Sequence, residues 1–238
     1  MRALADLRVK IFADGADKVE MLALAQNPLI KGFTTNPTLM RKAGVVDYTK
    51  FADDVLKLIT VRPISFEVFS DEFDEMERQA RAIATWGTNV YVKIPITNTR
   101  GESSQDLVRR LTDAGVKVNV TAVTTLDQVD RISRCFADGV PGCVSVFAGR
   151  VADTGRDPVP VMAAAVERLA SHPYVELIWA SPRELLNIFQ ADQIGCHIIT
   201  VTADILRKLT LVGKGLDQYS LETVKMFHED ARSAGYSL

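Results

Sequence analysis

The chain has little of what disulfide, metal or serine-triad chemistry requires. Its three cysteines, Cys135, Cys143 and Cys196, are odd in number and show no C-x-x-C spacing. They predict reduced, buried thiols in a cytoplasmic protein rather than a disulfide framework. The three histidines, His172, His197 and His228, are scattered, and no H-E-x-x-H occurs, so no metal is expected. His197 reads instead as a hydrogen-bonded core histidine in the last strand. A G-x-S-x-G elbow and a placed triad histidine are both missing. No G-x-G-x-x-G follows the first strand, and Gly213-Lys214-Gly215 lacks P-loop spacing, so no nucleotide cofactor is expected. No apolar run approaches the roughly 18 residues of a membrane span. Arg2, Asp6, Arg8 and Lys10 leave no signal-peptide core in the first ten residues. A net charge of −2 gives no electrostatic reason to expect nucleic acid or an anionic membrane as partner.

What is present is a regular alternation. The 238 residues, 47% hydrophobic and 24% charged, suffice for one sizeable core. Strand-like runs fall at Val9–Asp14, Gly32–Pro37, Ile64–Phe69, Val90–Ile96, Lys117–Ala122, Gly142–Phe147, Val175–Ala180 and Cys196–Val201. Helical patterns follow each of them, among them Lys18–Gln26 behind an Asp17 cap, Asp74–Thr85, Leu126–Phe136, Pro160–Ala170 and Pro182–Gln190. A glycine-bearing loop is expected after the sixth strand, around Gly149, Arg150 and Gly155. Eight βα units without a linker predict an α/β fold, a closed (β/α)8 TIM barrel forming a single domain over residues 1–238. An open doubly wound sheet is the alternative.

Lys93 stands inside the apolar run Val90 to Ile96, two residues before Pro95. Lysine is rarely buried unless paired or chemically used. A free lysine, with a pKa of about 10.4, is neutral in roughly one molecule in two thousand at pH 7. Desolvation favours the neutral amine; lowering the pKa to about 7 would raise that fraction on the order of a thousandfold, at a cost of roughly 4–5 kcal/mol. A neutral amine in an apolar pocket suits Schiff-base formation with a carbonyl. The alternative is a strand-end lysine whose ammonium reaches water. Other polar residues fall at corresponding strand ends: Asp14, Asn36, Glu67, Asn119 with Thr121, and Ser145 with Arg150. Each has a structural explanation alone; Asp14 could cap a helix, and Asn36 could make an Asx-turn before Pro37. Together they predict an active site at the carboxyl end of a barrel.

The blocks Phe12-Ala13-Asp14, Thr34-Thr35-Asn36-Pro37, Val92-Lys93-Ile94-Pro95, Asn119-Val120-Thr121 and Ser145 to Arg150 resemble the transaldolases. The length resembles their short branch, which includes the fructose-6-phosphate aldolases. The resemblance implies a metal-free, cofactor-free class I transferase acting on sugar phosphates in the pentose phosphate pathway. Lys93 would be its Schiff-base nucleophile, Asp14 the acid/base, and Glu67 with Thr121 the holders of a proton-relaying water. Thr35, Asn36, Asn119, Ser145, Phe147, Arg150, Ser181 and Arg183 would contact substrate, with Ser145 and Arg150 gripping the phosphate. Glu67 and Phe147 match the transaldolase type, whereas the aldolase branch usually has Gln and Tyr there. Two departures stand out: Ala180-Ser181-Pro182-Arg183 is two residues shorter than the family's loop, and the polar loop 98–104 is longer than usual. The first leaves open whether Arg183 replaces the family's second cation, and the second suggests a different acceptor sugar. Residues 221–238 resemble the helical segment that small members use to pack into homo-oligomeric rings, pentamers or decamers. The remaining readings are an aldolase releasing free dihydroxyacetone and a sugar-phosphate-binding barrel without catalysis.

Overall fold

A computed structural model of the chain describes residues 4–237. Residues 1–3 and 238, at the limits of the expected domain, lie outside the described residues. Eight strands, β1 (Lys10–Asp14), β2 (Ile30–Thr34), β3 (Ile64–Glu67), β4 (Val90–Pro95), β5 (Val118–Val123), β6 (Gly142–Val146), β7 (Val175–Trp179) and β8 (Ile198–Thr202), run parallel. They pair in chain order, and β8 returns to β1 to close a barrel. The expected (β/α)8 architecture is therefore the observed one.

Helices α1 (Lys18–Leu24), α2 (Pro37–Lys42), α3 (Tyr48–Leu56), α4 (Phe73–Ala84), α5 (Gln105–Asp113) and α6 (Leu126–Ser133) cover the first half. Helices α7 (Ala148–Ala152), α8 (Pro158–Leu169), α9 (Leu186–Gln193), α10 (Ala203–Arg207) and α11 (Leu216–Ala234) complete the chain. Their starts follow local chemistry. Asp17 caps α1 through Glu20 N, Thr125 and Gln128 form a capping box at α6, and Asp157 with Pro158 opens α8.

The apolar runs arise because each strand is covered on both faces. In β4, Val90, Val92 and Ile94 belong to the large core between barrel and helices, while Tyr91 packs on the barrel's inner cluster of Phe12, Cys143, Ile178, Ala180 and Ile198. Gly32 makes room for that cluster, since a Cβ there would sit 2.5 Å from Phe12 Cζ. At the amino end Lys10 pairs with Glu176 (2.7 Å), and His197 Nδ1 accepts from Leu177 N (3.0 Å). Burial pushes the His197 imidazole down.

Several boundaries differ from the sequence expectation. β2 begins at Ile30 and stops at Thr34, so Asn36 is the N-cap of α2 rather than a strand residue. The segment expected as a loop after β6 contains α7, and Arg150 rides on it. β8 begins only at Ile198, placing Cys196 and His197 before it. α9 starts four residues late because Asn187 Oδ1 accepts from Arg183 N and Glu184 N, holding that segment as a loop. The last helix starts at Leu216, five residues before the expected segment, and none of its residues is buried. No helix among the described residues is long and apolar enough to cross a membrane.

Candidate active site

The carboxyl ends of the strands open into a cavity of about 690 Å³, within the usual range for small-molecule sites. Its wall includes Asp14, Asn36, Glu67, Lys93, Thr121, Ser145, Phe147, Arg150, Ser181 and Arg183, ten of the twelve residues expected at the site. Thr35 and Asn119 lie beneath the wall. The Thr35 hydroxyl is turned onto Ser65 O (2.8 Å), and only its carbonyl faces Lys93. Asn119 is fully buried, donating to Ser65 Oγ (3.1 Å) and accepting from Ser145 Oγ (2.8 Å).

Lys93 is 6% exposed. The parallel register sets Glu67 beside it on β3, which brings Nζ to 3.2 Å from Glu67 Oε2. Nζ also donates to Thr35 O (2.9 Å). The immediate surroundings of Nζ are thus hydrogen-bond acceptors, where the strand's apolar sequence predicts an apolar pocket. The reason is geometric: Val92 and Ile94 turn outward, so Lys93 meets only the inward residues of adjacent strands.

Asp14 lies near enough to feel both charges. Burial pushes its carboxyl above the usual carboxylate range, opposed by the Lys93 charge and by a hydrogen bond from Thr34 Oγ1 (2.7 Å). Thr34 Oγ1 in turn makes a short contact with Thr200 Oγ1 on β8. A hydroxyl has one proton, so with Asp14 ionised Thr200 is the donor to Thr34. Thr121 Oγ1, by contrast, is buried with no hydrogen-bond partner among the described residues. A buried hydroxyl left unpaired is costly, and one on a cavity wall is available to a water or a substrate hydroxyl. β5 is bulged beside it between Val120 and Val123, with Ala122 in the left-handed region at φ 62°.

Glu67 is fixed by a residue whose role the sequence conceals. Tyr48 on α3 donates to Glu67 O (2.8 Å) and accepts from Glu67 N (2.9 Å), with its ring against Phe66, Phe69 and Trp86. Burial and the neighbouring carboxylate push its phenol up, so it serves as a fixed neutral brace. Thr200, Thr202 and Asp204 also reach the cavity without having been singled out by sequence, as does Thr34, which the sequence marked only as part of a block and gave no role. Threonine is ordinary in strands, so only its inward register would have marked Thr34 or Thr200.

At the rim, Arg150 is exposed and makes no ion pair with the described residues. Arg183 does reach the wall despite the short loop, but pairs with Asp153 and donates to Ser181 Oγ (3.1 Å). The polar loop 98–104 is held away from the cavity: Thr99 N donates to Asp71 (2.7 Å) and Arg100 to Glu72 (2.8 Å). None of its residues lines the wall, so its extra length does not shape the site. A second cavity, about 550 Å³ and largely apolar, lies between α9 and α11 beside Phe189, Leu211 and Tyr219. Its charged residues are engaged elsewhere: Asp192 accepts from Arg8 N and Val9 N, and Lys214 pairs with Glu222.

Known proteins resemble the chain in sequence and in fold. Residues 11–238 match the family model described as Transaldolase/Fructose-6-phosphate aldolase. A probable transaldolase of Thermoanaerobacter sp. is 32% identical over 231 residues, covering 97% of this chain and all of the relative. Probable transaldolase 2 of Listeria monocytogenes is 31% identical over 217 residues, 89% of this chain and 94% of the relative. The crystal structure of dihydrodipicolinate synthase from Rhodopseudomonas palustris superposes with a TM-score of 0.60 at 15% identity, covering 97% of this chain and 81% of that one. That likeness concerns the barrel alone.

Proposed function

This chain belongs to the transaldolase/fructose-6-phosphate aldolase family, and on that premise we propose that it transfers a dihydroxyacetone unit from a ketose phosphate to an aldose phosphate through a Schiff base on Lys93. The observation that carries the reading is the burial of Lys93 between the Glu67 carboxylate and the Thr35 carbonyl, in the cavity that Asp14 also lines.

The free amine forms when Nζ passes a proton to a neighbouring carboxylate, and it then attacks the C2 carbonyl of the ketose. Loss of water from the carbinolamine gives the imine. The unpaired Thr121 hydroxyl and Glu67 hold that water and move its protons. Asp14 takes the proton of the C4 hydroxyl as the C3–C4 bond breaks, and a carboxyl of reduced acidity suits that step. The iminium is the electron sink, so the reaction needs no metal or other cofactor. Arg150 meets the phosphate at the rim, while Ser145, whose one hydroxyl proton goes to Asn119 Oδ1, lines the wall below and would have to turn from Asn119 to donate to it.

Transfer is favoured over release by two side chains. Glu67 can take and return protons where an amide could only hold water. Phe147 contributes an apolar wall with no proton donor beside the imine. The enamine therefore waits for an acceptor aldehyde. The expected assembly into a homo-oligomer is supported by α11, which turns Leu221, Val224 and Phe227 to solvent; light scattering measures it.

Incubation with fructose 6-phosphate and borohydride, followed by intact mass and peptide mapping, should give one reduced adduct on Lys93. Turnover should then depend on an aldose phosphate acceptor such as erythrose 4-phosphate. Equal dihydroxyacetone release with and without acceptor would assign an aldolase, and absence of any adduct would leave a binding protein.

A further inference from the structure

Arg183 makes a set of contacts that the short loop around it does not require. Asp153, in the turn following α7, engages it side-on: Arg183 Nε donates to Asp153 Oδ1 at 2.8 Å, and Nη2 donates to Asp153 Oδ2. Nη1 donates to Ser181 Oγ at 3.1 Å. The Arg183 backbone is held as well, its N–H donating to Asn187 Oδ1 at 2.8 Å. The Asp153 carboxyl is pulled below its usual range by this guanidinium and by the charge of Arg150.

The backbone beneath is shaped for the same placement. Ser181 takes a left-handed φ of 59°, uncommon for a residue with a side chain. A Cβ on Gly149 would fall 1.6 Å from Ser181 O and 3.2 Å from Arg183 Cζ. Only glycine at 149 lets α7 approach the loop so closely. Gly149 on α7 and Asp153 at its C-cap therefore act together on the loop that carries Ser181 and Arg183.

We infer that Asp153 is a positioning residue that holds Arg183 on the cavity wall as the second cation, beside Arg150, for an anionic substrate group. Of the five N–H donors of a guanidinium, the contacts to Asp153 and Ser181 take three, leaving one on each terminal nitrogen. Two N–H groups left on the terminal nitrogens can serve two oxygens of a phosphate. Ser181 Oγ accepts from Arg183, so its own proton is free to donate to the same anion. Arg183 need not be recruited from solvent, because its rotamer is set before substrate arrives. Such pre-organisation appears in binding, since ordering a long side chain otherwise opposes it. The inference rests on the sugar-phosphate reading above and names the residue that sets its phosphate preference.

The test compares Asp153→Ala and Asp153→Asn with the parent on fructose 6-phosphate and on unphosphorylated fructose, with inorganic phosphate as competing inhibitor. Asp153→Ala is expected to raise KM for the phosphorylated ketose and Ki for inorganic phosphate together, each about tenfold. The unphosphorylated ketose should change by less than about twofold, with kcat on both little altered. Asp153→Asn, which keeps one acceptor oxygen, should fall between, and it carries the comparison should Asp153→Ala not fold. A lower KM for the phosphorylated ketose in either variant would show that Asp153 merely neutralises Arg183, and would overturn the inference. Equal losses on both ketoses with a lower Tm would assign Asp153 to the fold alone, again overturning it. A parent enzyme that does not prefer the phosphorylated ketose would instead overturn the sugar-phosphate reading, and this inference with it.

Discussion

Replacing Lys93 by methionine tests the chemistry and the electrostatics of the site together. Methionine keeps length and apolar stem while removing the ammonium. The Lys93 side chain is 7% exposed and that of Glu67 17%, so the pair is buried rather than a surface contact. Removing one partner of a buried pair costs about 3–5 kcal/mol, because the remaining charge has lost both water and counter-ion. Glu67 keeps some exposure, so the lower end applies, about 3 kcal/mol. For a chain of this size that corresponds to about 6–12 °C in Tm. Asp14 responds as well, since the Lys93 charge is what most opposes its desolvation; without it the Asp14 carboxyl should rise further. Acidification neutralises the orphaned carboxylates, so the deficit should shrink as pH falls towards about 4. Adding Glu67→Gln to Lys93→Met should recover at least half of the lost stability at pH 7.5, since a neutral amide beside a thioether leaves no uncompensated charge. Urea melts of parent, single and double variants across pH, with borohydride trapping alongside, make the assay. A Lys93→Met variant as stable as the parent at pH 7.5, or one no less stable than its double, would refute the electrostatic argument. A trapped adduct in the variant would refute the mechanism.

Asp14 provides a second pH test. Its folded carboxyl is less acidic than its unfolded one, so the native state binds that proton more tightly. The associated stability is fully present below the ordinary carboxylate value of about 3.9 and is lost as pH rises through the folded value. Asp14→Asn should therefore raise Tm at pH 7.5, with no gain below about pH 4, while lowering kcat by at least about a hundredfold; a fall in Tm at pH 7.5 would contradict this. Arg150→Ala should raise KM for phosphorylated substrates by about 10- to 100-fold and spare unphosphorylated ones, as steady-state kinetics would report. Phe147→Tyr should shift the ratio of dihydroxyacetone release to transfer upward by placing a hydroxyl on the cavity wall, measured by coupled assays with and without acceptor. Gly32→Ala should destabilise by about 1–3 kcal/mol in urea, since its Cβ would meet the Phe12 ring at 2.5 Å; Phe12→Leu should relieve much of that loss.

The sequence alone determined the barrel and marked the centre of its candidate site. Eight apolar runs, each followed by a helical pattern, leave few topologies that cover both faces of every strand. A lysine in one of those runs, and acids or amides ending its neighbours, mark the carboxyl end because charge in a buried strand requires a purpose. Asn36, for which the sequence left an Asx-turn and a site role as alternatives, caps α2 through Leu39 N and also reaches the cavity wall. Tertiary structure decided which partners those residues meet. Thr200 joins Asp14 through Thr34, from which it stands 166 positions away in the chain, and Asp153 reaches Arg183 across 30. Tyr48 fixes Glu67 from a helix whose apolar face would accept many other aromatics. The acceptors around Lys93 come from β3 and from the β2–α2 turn, not from its own strand. Periodicity and caps act between near neighbours and leave a mark on the sequence. Inward threonines, a bulge at Ala122 or a carboxylate on the next loop acquire meaning only when barrel closure sets the register between strands.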